Sequence, residues 1–437
     1  MLTAFARAFK TPDLRKKLLF TIAILAVFRL GGHIPTPGIS YGAVQRCQNV
    51  SDQTGGVLGL VNLFSGGALL QLSIFALGIM PYITASIIVQ LLTVVIPKFE
   101  ELKKEGQAGQ TKMTQYTRYL TIGLAVLQSS TLVTFARNPE QLFGAGCTSI
   151  MPDEGIPVIL MMVLTMTAGT GVIMWLGELV TERGVGNGMS LLIFTSIAAQ
   201  FPGSLWQIKD RGWGTFALVI LVGLVIIGIV VFVEQSQRRI PVQYAKRMVG
   251  RRMFGGTTTY IPLKVNMANV IPIIFASSML QIPLLMAQFN RGPANEKPAG
   301  WVAWIENHLG LGGADPVYMI VYTVLIIFFT FFYVSVTFNP TETADNMKRY
   351  GGFIPGIRAG RPTAEYLDYV LTRITVPGSI YLAILSLIPL VAYALIGVNQ
   401  NFPFGGASII IIVGVGLETV KQIESQLQQR HYEGFLR

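Results

Sequence analysis

The chain alternates between ten long apolar segments and short polar connectors. Apolar runs of about 20 residues match a hydrocarbon core about 30 Å thick. They predict transmembrane helices near 18–34, 72–95, 118–136, 156–177, 187–201, 214–233, 267–288, 316–338, 374–396 and 405–420. Only Arg29 lies well inside one of these spans, while Glu178, Glu234 and Glu418 sit at span margins. The predicted class is an all-α polytopic membrane protein. Charged residues make up 13% of 437, against about 25% in soluble domains, which excludes an ordinary soluble fold. No small-residue cleavage site follows the first apolar run, so that run is expected to remain as the first span and to act as the targeting signal.

Ten spans place both termini on one side, and Lys and Arg decide which side. Of 33 such residues, 26 fall in connectors on the side of the N-terminus. Six fall on the other: Arg46, Arg137, Lys209, Arg211, Arg291 and Lys297. Both termini are therefore expected in the cytoplasm, and most of the net charge of +11 is this bias. Five spans precede the loop 235–266 and five follow it. An odd number per half makes the halves enter from opposite sides, the topology of two inverted five-helix halves around a central pathway. Residues 1–201 form the first half, 202–213 the external hinge loop and 214–437 the second half. The halves share no clear residue-level similarity, so this expectation rests on counting.

The long loops 235–266 and 339–373 mix Arg, Gly, Pro and aromatic residues, which predicts ordered projections. The first carries Arg238-Arg239, Lys246-Arg247 and Arg251-Arg252 with no acidic residue, and Tyr244 and Phe254 add stacking surfaces. RNA phosphates, an acidic protein face and anionic lipid headgroups all fit it. Residues 55–95 are too long for one span and are interrupted at Ser65-Gly66-Gly67. Backbone that is not continuous helix is tolerated at membrane depth only inside protein or along a wet cavity. Residues 57–66 thus read either as a half-helix folded into the centre or as an interfacial helix on the external surface.

No enzyme chemistry is legible. Gly106–Lys112 lacks the spacing of a phosphate loop. His33, His308 and His431 are scattered, with no metal-ligand spacing, and there is no nucleophile elbow. No catalytic residue, metal or cofactor is expected. A pump or ion-coupled carrier usually relies on buried carboxylates, histidines or lysines; their scarcity here disfavours a small-molecule substrate. Cys47 and Cys147 both lie in external connectors, where they fit either a disulfide or two free thiols. Arg29 fits structural pairing better than substrate contact. Gln90, Gln128, Ser277 and Ser278 lie within spans two, three and seven. Interhelical hydrogen bonds of such groups contribute about 0.6 kcal/mol each, weak enough to break reversibly. Packing glue or an opening seam both accommodate them.

Several runs carry a family resemblance. Ser65-Gly66-Gly67-Ala68, Ser73 through Ile83 and Ala85-Ser86-Ile87-Ile88 resemble the second span of the SecY family. So do Ile34 through Gly38, Glu182 through Gly188, Arg238-Arg239-Ile240-Pro241, Tyr244 through Arg247, Pro262 through Met267 and Pro355-Gly356-Ile357-Arg358. These motifs are in order, and the resemblance covers essentially residues 10–434. The resemblance implies a channel for unfolded polypeptide: ten helices in a clamshell around an hourglass pore. Its apolar ring would fall at Ile83, Ile87, Met189, Ile193, Ile274 and Ile411. Met189 departs from the branched aliphatic residue of the pattern, but remains apolar and adaptable. Residues 57–70 would be the plug, with Leu58, Leu60, Asn62, Phe64, Ser65 and Gly66 in it. Gln90, Gln128, Ser277 and Ser278 would line a lateral gate through which signal peptides and nascent spans reach membrane lipid. Arg251, Arg252 and Arg358 would dock the SecA ATPase or the translating ribosome. SecE and SecG are the implied partner subunits.

Overall fold

A computed structural model describes residues 9, 11–51, 65–137, 139, 147, 150–153, 155–210, 212–244, 247–249, 252–254, 258–289, 300–309, 315–396 and 406–433. Within them lie fourteen helices and five strands. Helices α1 (Pro12–Gly31), α3 (Met80–Val95), α5 (Gln107–Arg137), α6 (Ile156–Arg183) and α7 (Gly188–Asp210) occupy the first five predicted spans. Helices α8 (Trp213–Gln235), α9 (Ile271–Phe289), α11 (Pro316–Thr337), α13 (Arg361–Ile396) and α14 (Gly406–Glu433) occupy the other five. Shorter helices α2 (Tyr41–Ser51), α4 (Pro97–Lys104), α10 (Gly300–His308) and α12 (Pro340–Arg349) lie in the connectors.

Five stretches are by themselves long and apolar enough to cross a membrane: Gln107–Arg137, Ile156–Arg183, Phe216–Gln235, Pro316–Arg349 and Arg361–Val391. A sixth results if α3 and α4, bent by 97°, count as one span. In α7 and α9 the apolar stretch is shorter, Gly188–Gly203 and Ile271–Leu284. On α8, Leu218, Leu221, Leu224 and Phe232 are exposed, as a lipid-facing surface requires.

Span two is corrected by the structure. Its helix begins at Met80, not near 72, and residues 66–79 form successive turns. Positive φ at Gly66 (70°), Gly67 (89°), Leu72 (46°) and Gly78 (56°) cannot belong to a right-handed helix. The backbone groups released by these turns are satisfied by the segment after α1. Ile74 N donates to Ile34 O (2.9 Å), and Thr36 N to Leu72 O (3.1 Å). Irregular backbone is thereby paired inside protein. The predicted hinge also differs. Helix α7 continues through Pro202 to Asp210, and α8 starts at Trp213. The stretch Gly106–Lys112 is the corner between α4 and α5, helical from Gln107, and not a phosphate-binding loop.

Strand β1 (Gln237–Tyr244) pairs antiparallel with β4 (Thr258–Lys264), in register from Gln237 opposite Lys264 to Gln243 opposite Thr258. Between them β2 (Arg247–Val249) and β3 (Arg252–Phe254) form a small hairpin. The other edge of β1 pairs with β5 (Gly352–Phe353), so the sheet order is β4-β1-β5. The two long loops are thus one platform. Ile240, Val242, Leu263, Met347, Ile354, Leu367 and Val370 form its core.

Among the described residues, the two halves pack mainly through α7, which lies against α14 and α8. In the first half α3 packs on α5, α5 on α6 and α6 on α7. In the second half α9 packs on α11 and α11 on α13. Among the described residues, no comparable interface joins α3 or α5 to α9 or α11.

Candidate functional site

One apolar cluster draws residues from both halves at the centre. Ile193 of α7, Ile274 of α9 and Ile411 of α14 are buried in it, the last two at 2% exposure. Ile83 of α3 and Met189 of α7 pack against it, half-buried. Five of the six predicted ring residues therefore belong to or pack against one apolar cluster. Ile87 is buried one helical turn beyond Ile83, outside this cluster. Ile79, Ile173, Leu192 and Ile197 surround the group. Asn187 caps α7, its side-chain oxygen accepting from Met189 N (3.1 Å) and Ser190 N (3.4 Å). That cap fixes where Met189 and Ile193 project. None of the named isoleucine, leucine and methionine side chains carries a charge or a hydrogen-bond donor, and a group of this kind can exclude water and ions.

Directly beside it, Arg29 donates from Nη1 to Gly66 O at 2.6 Å. Gly66 has a left-handed φ, and a side chain there would meet Arg29 Nη1 at 3.0 Å and Ser196 Cα at 3.1 Å. Only glycine fits the corner between α1 and α7. The one charge well inside a span is thus engaged in structural pairing. Ser65 is buried, and its Oγ accepts from Leu69 N (3.1 Å). Leu58, Leu60, Asn62 and Phe64 lie outside the described residues.

The four polar residues of the predicted gate do not hydrogen-bond to one another among the described residues. Ser277 Oγ donates to Ile274 O (2.9 Å), within its own helix. Gln90 is exposed, and Gln128 and Ser278 are partly buried. Short hydroxyls in helices commonly bond back by three or four residues. Helices α5 and α6 are tied elsewhere: Arg118 grips Glu178 with two bonds, Nε to Oε1 (2.9 Å) and Nη2 to Oε2 (2.7 Å).

At the platform, Arg238 and Arg239 are exposed on β1, and Arg358 is exposed on the turn between β5 and α13. Thr363 Oγ1 donates to Arg358 O (2.9 Å), which fixes that turn. Arg252 lies on β3, its backbone opposite Val249; Arg251 lies outside the described residues. At the base of the platform Glu234 and Asn266, both buried, pair at 2.7 Å. The sequence placed Glu234 at a span margin and Asn266 at a span start. It gave no sign that they touch.

On the opposite side Cys47 and Cys147 are joined in a disulfide with Cα atoms 5.2 Å apart, so the free-thiol alternative is excluded. In the second half, Asp315 caps α11. Its Oδ1 accepts from Val317 N, and its Oδ2 lies 2.9 Å from His308 Nδ1. The Val317 amide, then His308, hold this carboxyl below its ordinary range. Among the described residues no group of three His, Cys, Asp or Glu could hold a metal.

The SecY family profile matches residues 73–420. Protein translocase subunit SecY of Streptomyces scabiei is 66% identical over 444 residues, covering 100% of both chains. Among solved structures, one described as the structure of a protein conducting channel superposes with a TM-score of 0.62 at 17% identity, covering 94% of this chain and 91% of that one. Sec61 in the canine ribosome-channel complex superposes at 0.58 and 16%, with the same coverage. These two show the fold. With the profile and the identity across the full length, they show that the chain belongs to the SecY family.

Proposed function

We propose that the chain conducts unfolded polypeptide through its centre, with Ile83, Ile87, Met189, Ile193, Ile274 and Ile411 as the constriction. The observation that carries this reading is the apolar cluster in which residues from α3, α7, α9 and α14 meet. A ring of bulky apolar side chains dewets when empty and blocks ions. Because it offers no hydrogen-bonding preference, any peptide sequence can slide through. The flexible Met189 fits such a seal. Residues 57–70 act as the plug, and the Arg29–Gly66 bond secures its far end in the closed state.

The unpacked seam between α3–α5 and α9–α11 serves as the lateral gate, with Gln90, Gln128, Ser277 and Ser278 along it. An apolar signal peptide or nascent span opens it by substituting its own surface for the helix contacts it displaces, then passes to membrane lipid. The sheet platform docks the energy source, SecA ATPase or the translating ribosome, through Arg251, Arg252 and Arg358. The exposed arginines of the platform support this, since clustered guanidinium groups recognise phosphate and carboxylate. SecE and SecG complete the assembly. The excess of Lys and Arg in the connectors supports an inner-membrane orientation with both termini and the platform in the cytoplasm.

The pore reading is tested by replacing Ile274 and Ile411 together with Ser in reconstituted vesicles. A wetted constriction raises resting ion conductance. An unchanged conductance removes these residues from the seal.

A further inference from the structure

The loop 235–266 is anchored at its base by a buried pair, Glu234 and Asn266. Strand β1 follows α8 after a single residue, Ser236, and β4 leads through Val265–Val270 into α9. The ribbon closes at its base, where Val265 N donates to Ser236 O (3.1 Å). There Asn266, 3% exposed, donates from Nδ2 to Oε1 of Glu234, 7% exposed, at 2.7 Å. The same amide nitrogen lies 3.4 Å from Asn269 O. A buried carboxylate is costly without compensation. Here the amide, with Lys264 and Lys421 in electrostatic reach, offsets part of that cost.

The connection from this pair to α9 has little slack. Gly378 of α13 lies so close to the Val265 carbonyl that a side chain there would overlap it. Ala268 is fully buried with Val334 and Leu371. Asn269 takes a left-handed φ of 54° and sets its side chain against Gly414 of α14. One turn later Ile273 N and Ile274 N both reach Val270 O (3.1 and 3.3 Å).

We propose that Glu234 and Asn266 are positioning residues that couple the platform to the pore. The pair fixes the base of the ribbon to the entry of α9. A partner docked on the ribbon therefore shifts Ile274, Ser277 and Ser278 as a rigid extension of its own binding site. Without the pair, the ribbon still docks, but its movement dissipates in the linker. This inference rests on the proposed docking and gate roles of the platform and α9.

The test uses the full chain with its partner subunits in vesicles and ribosomes carrying a stalled, signal-bearing nascent chain. Two quantities are read: ribosome affinity, and ultraviolet crosslinking from a photoreactive residue at position 278 to the signal. Asn266→Asp places two carboxylates together. It is expected to leave affinity within about twofold and to cut crosslinking about tenfold or more, as loss of a charged hydrogen bond implies. Glu234→Gln with Asn266→Asp reverses donor and acceptor and is expected to restore crosslinking. Glu234→Gln alone keeps the shape and an acceptor oxygen, and should fall between. Unchanged crosslinking in Asn266→Asp, or failure of the reversed pair to restore it, overturns the coupling while the docking reading stands. Absence of ribosome binding by the unmodified channel overturns docking, and the coupling with it. Binding without any crosslink from position 278 in the unmodified channel overturns the gate role of α9, and again the coupling.

Discussion

Arg29 Nη1 donates to the carbonyl oxygen of Gly66 at 2.6 Å, and so joins the sole charge well inside a predicted span to the run of turns at residues 66–79. A hydrogen bond to a charged group is worth about 1.5–3 kcal/mol. Arg29→Met should release this corner and raise the resting ion leak of reconstituted channels about tenfold or more, whereas Arg29→Lys should raise it less. Conductance of the Met variant equal to that of the unmodified chain would separate Arg29 from closure.

Arg118 and Glu178 form a bidentate pair with side chains 44% and 19% exposed. Partial exposure screens such a pair. A double-mutant cycle with Arg118→Ala and Glu178→Ala should give a coupling of about 1 kcal/mol or less in thermal unfolding. A coupling of several kcal/mol would mean that the pair is far drier than its exposure indicates.

The disulfide closes a loop of 100 residues. Disulfides stabilise mainly by constraining the unfolded chain, typically by about 2–4 kcal/mol and more for longer loops. Cys47→Ser should lower the Tm and abolish the mobility difference between reduced and unreduced chain on electrophoresis. Identical mobility of the unmodified chain under both conditions would show that the bond does not form.

The depressed carboxyl of Asp315 sets a pH dependence of known sign. Its folded value lies below the unfolded one, so its contribution is complete above the ordinary carboxylate range of about 4 and is lost as pH falls through the folded value. Asp315→Asn should flatten the loss of Tm on acidification below about pH 4 and leave its neutral-to-alkaline part unchanged. A flattening confined to neutral pH would assign the titration to another group.

Much of the helical architecture was legible because span length is a strong one-dimensional signal. Each of the ten predicted spans contains a helix, and Ile83, Met189, Ile193, Ile274 and Ile411 converge. What escaped was set by contacts distant in sequence. Strand β5 has two residues and no periodicity, so its pairing with β1 left no trace. The start of α3 is set by left-handed backbone at Leu72 and Gly78, a conformation Leu rarely takes. Ser277 looked like seam glue, yet its hydroxyl is spent on Ile274 O. Glu234 and Asn266 stand 32 positions apart and become partners only when β1 and β4 zip together.

The most direct test of a central protein-conducting path is a photo-crosslinker in place of Ile274, with a secretory chain stalled halfway across. The account predicts crosslinks to the mature part of the client at that position. No crosslink there, with crosslinks only from lipid-facing positions of α3 or α9, would contradict it and route the chain elsewhere.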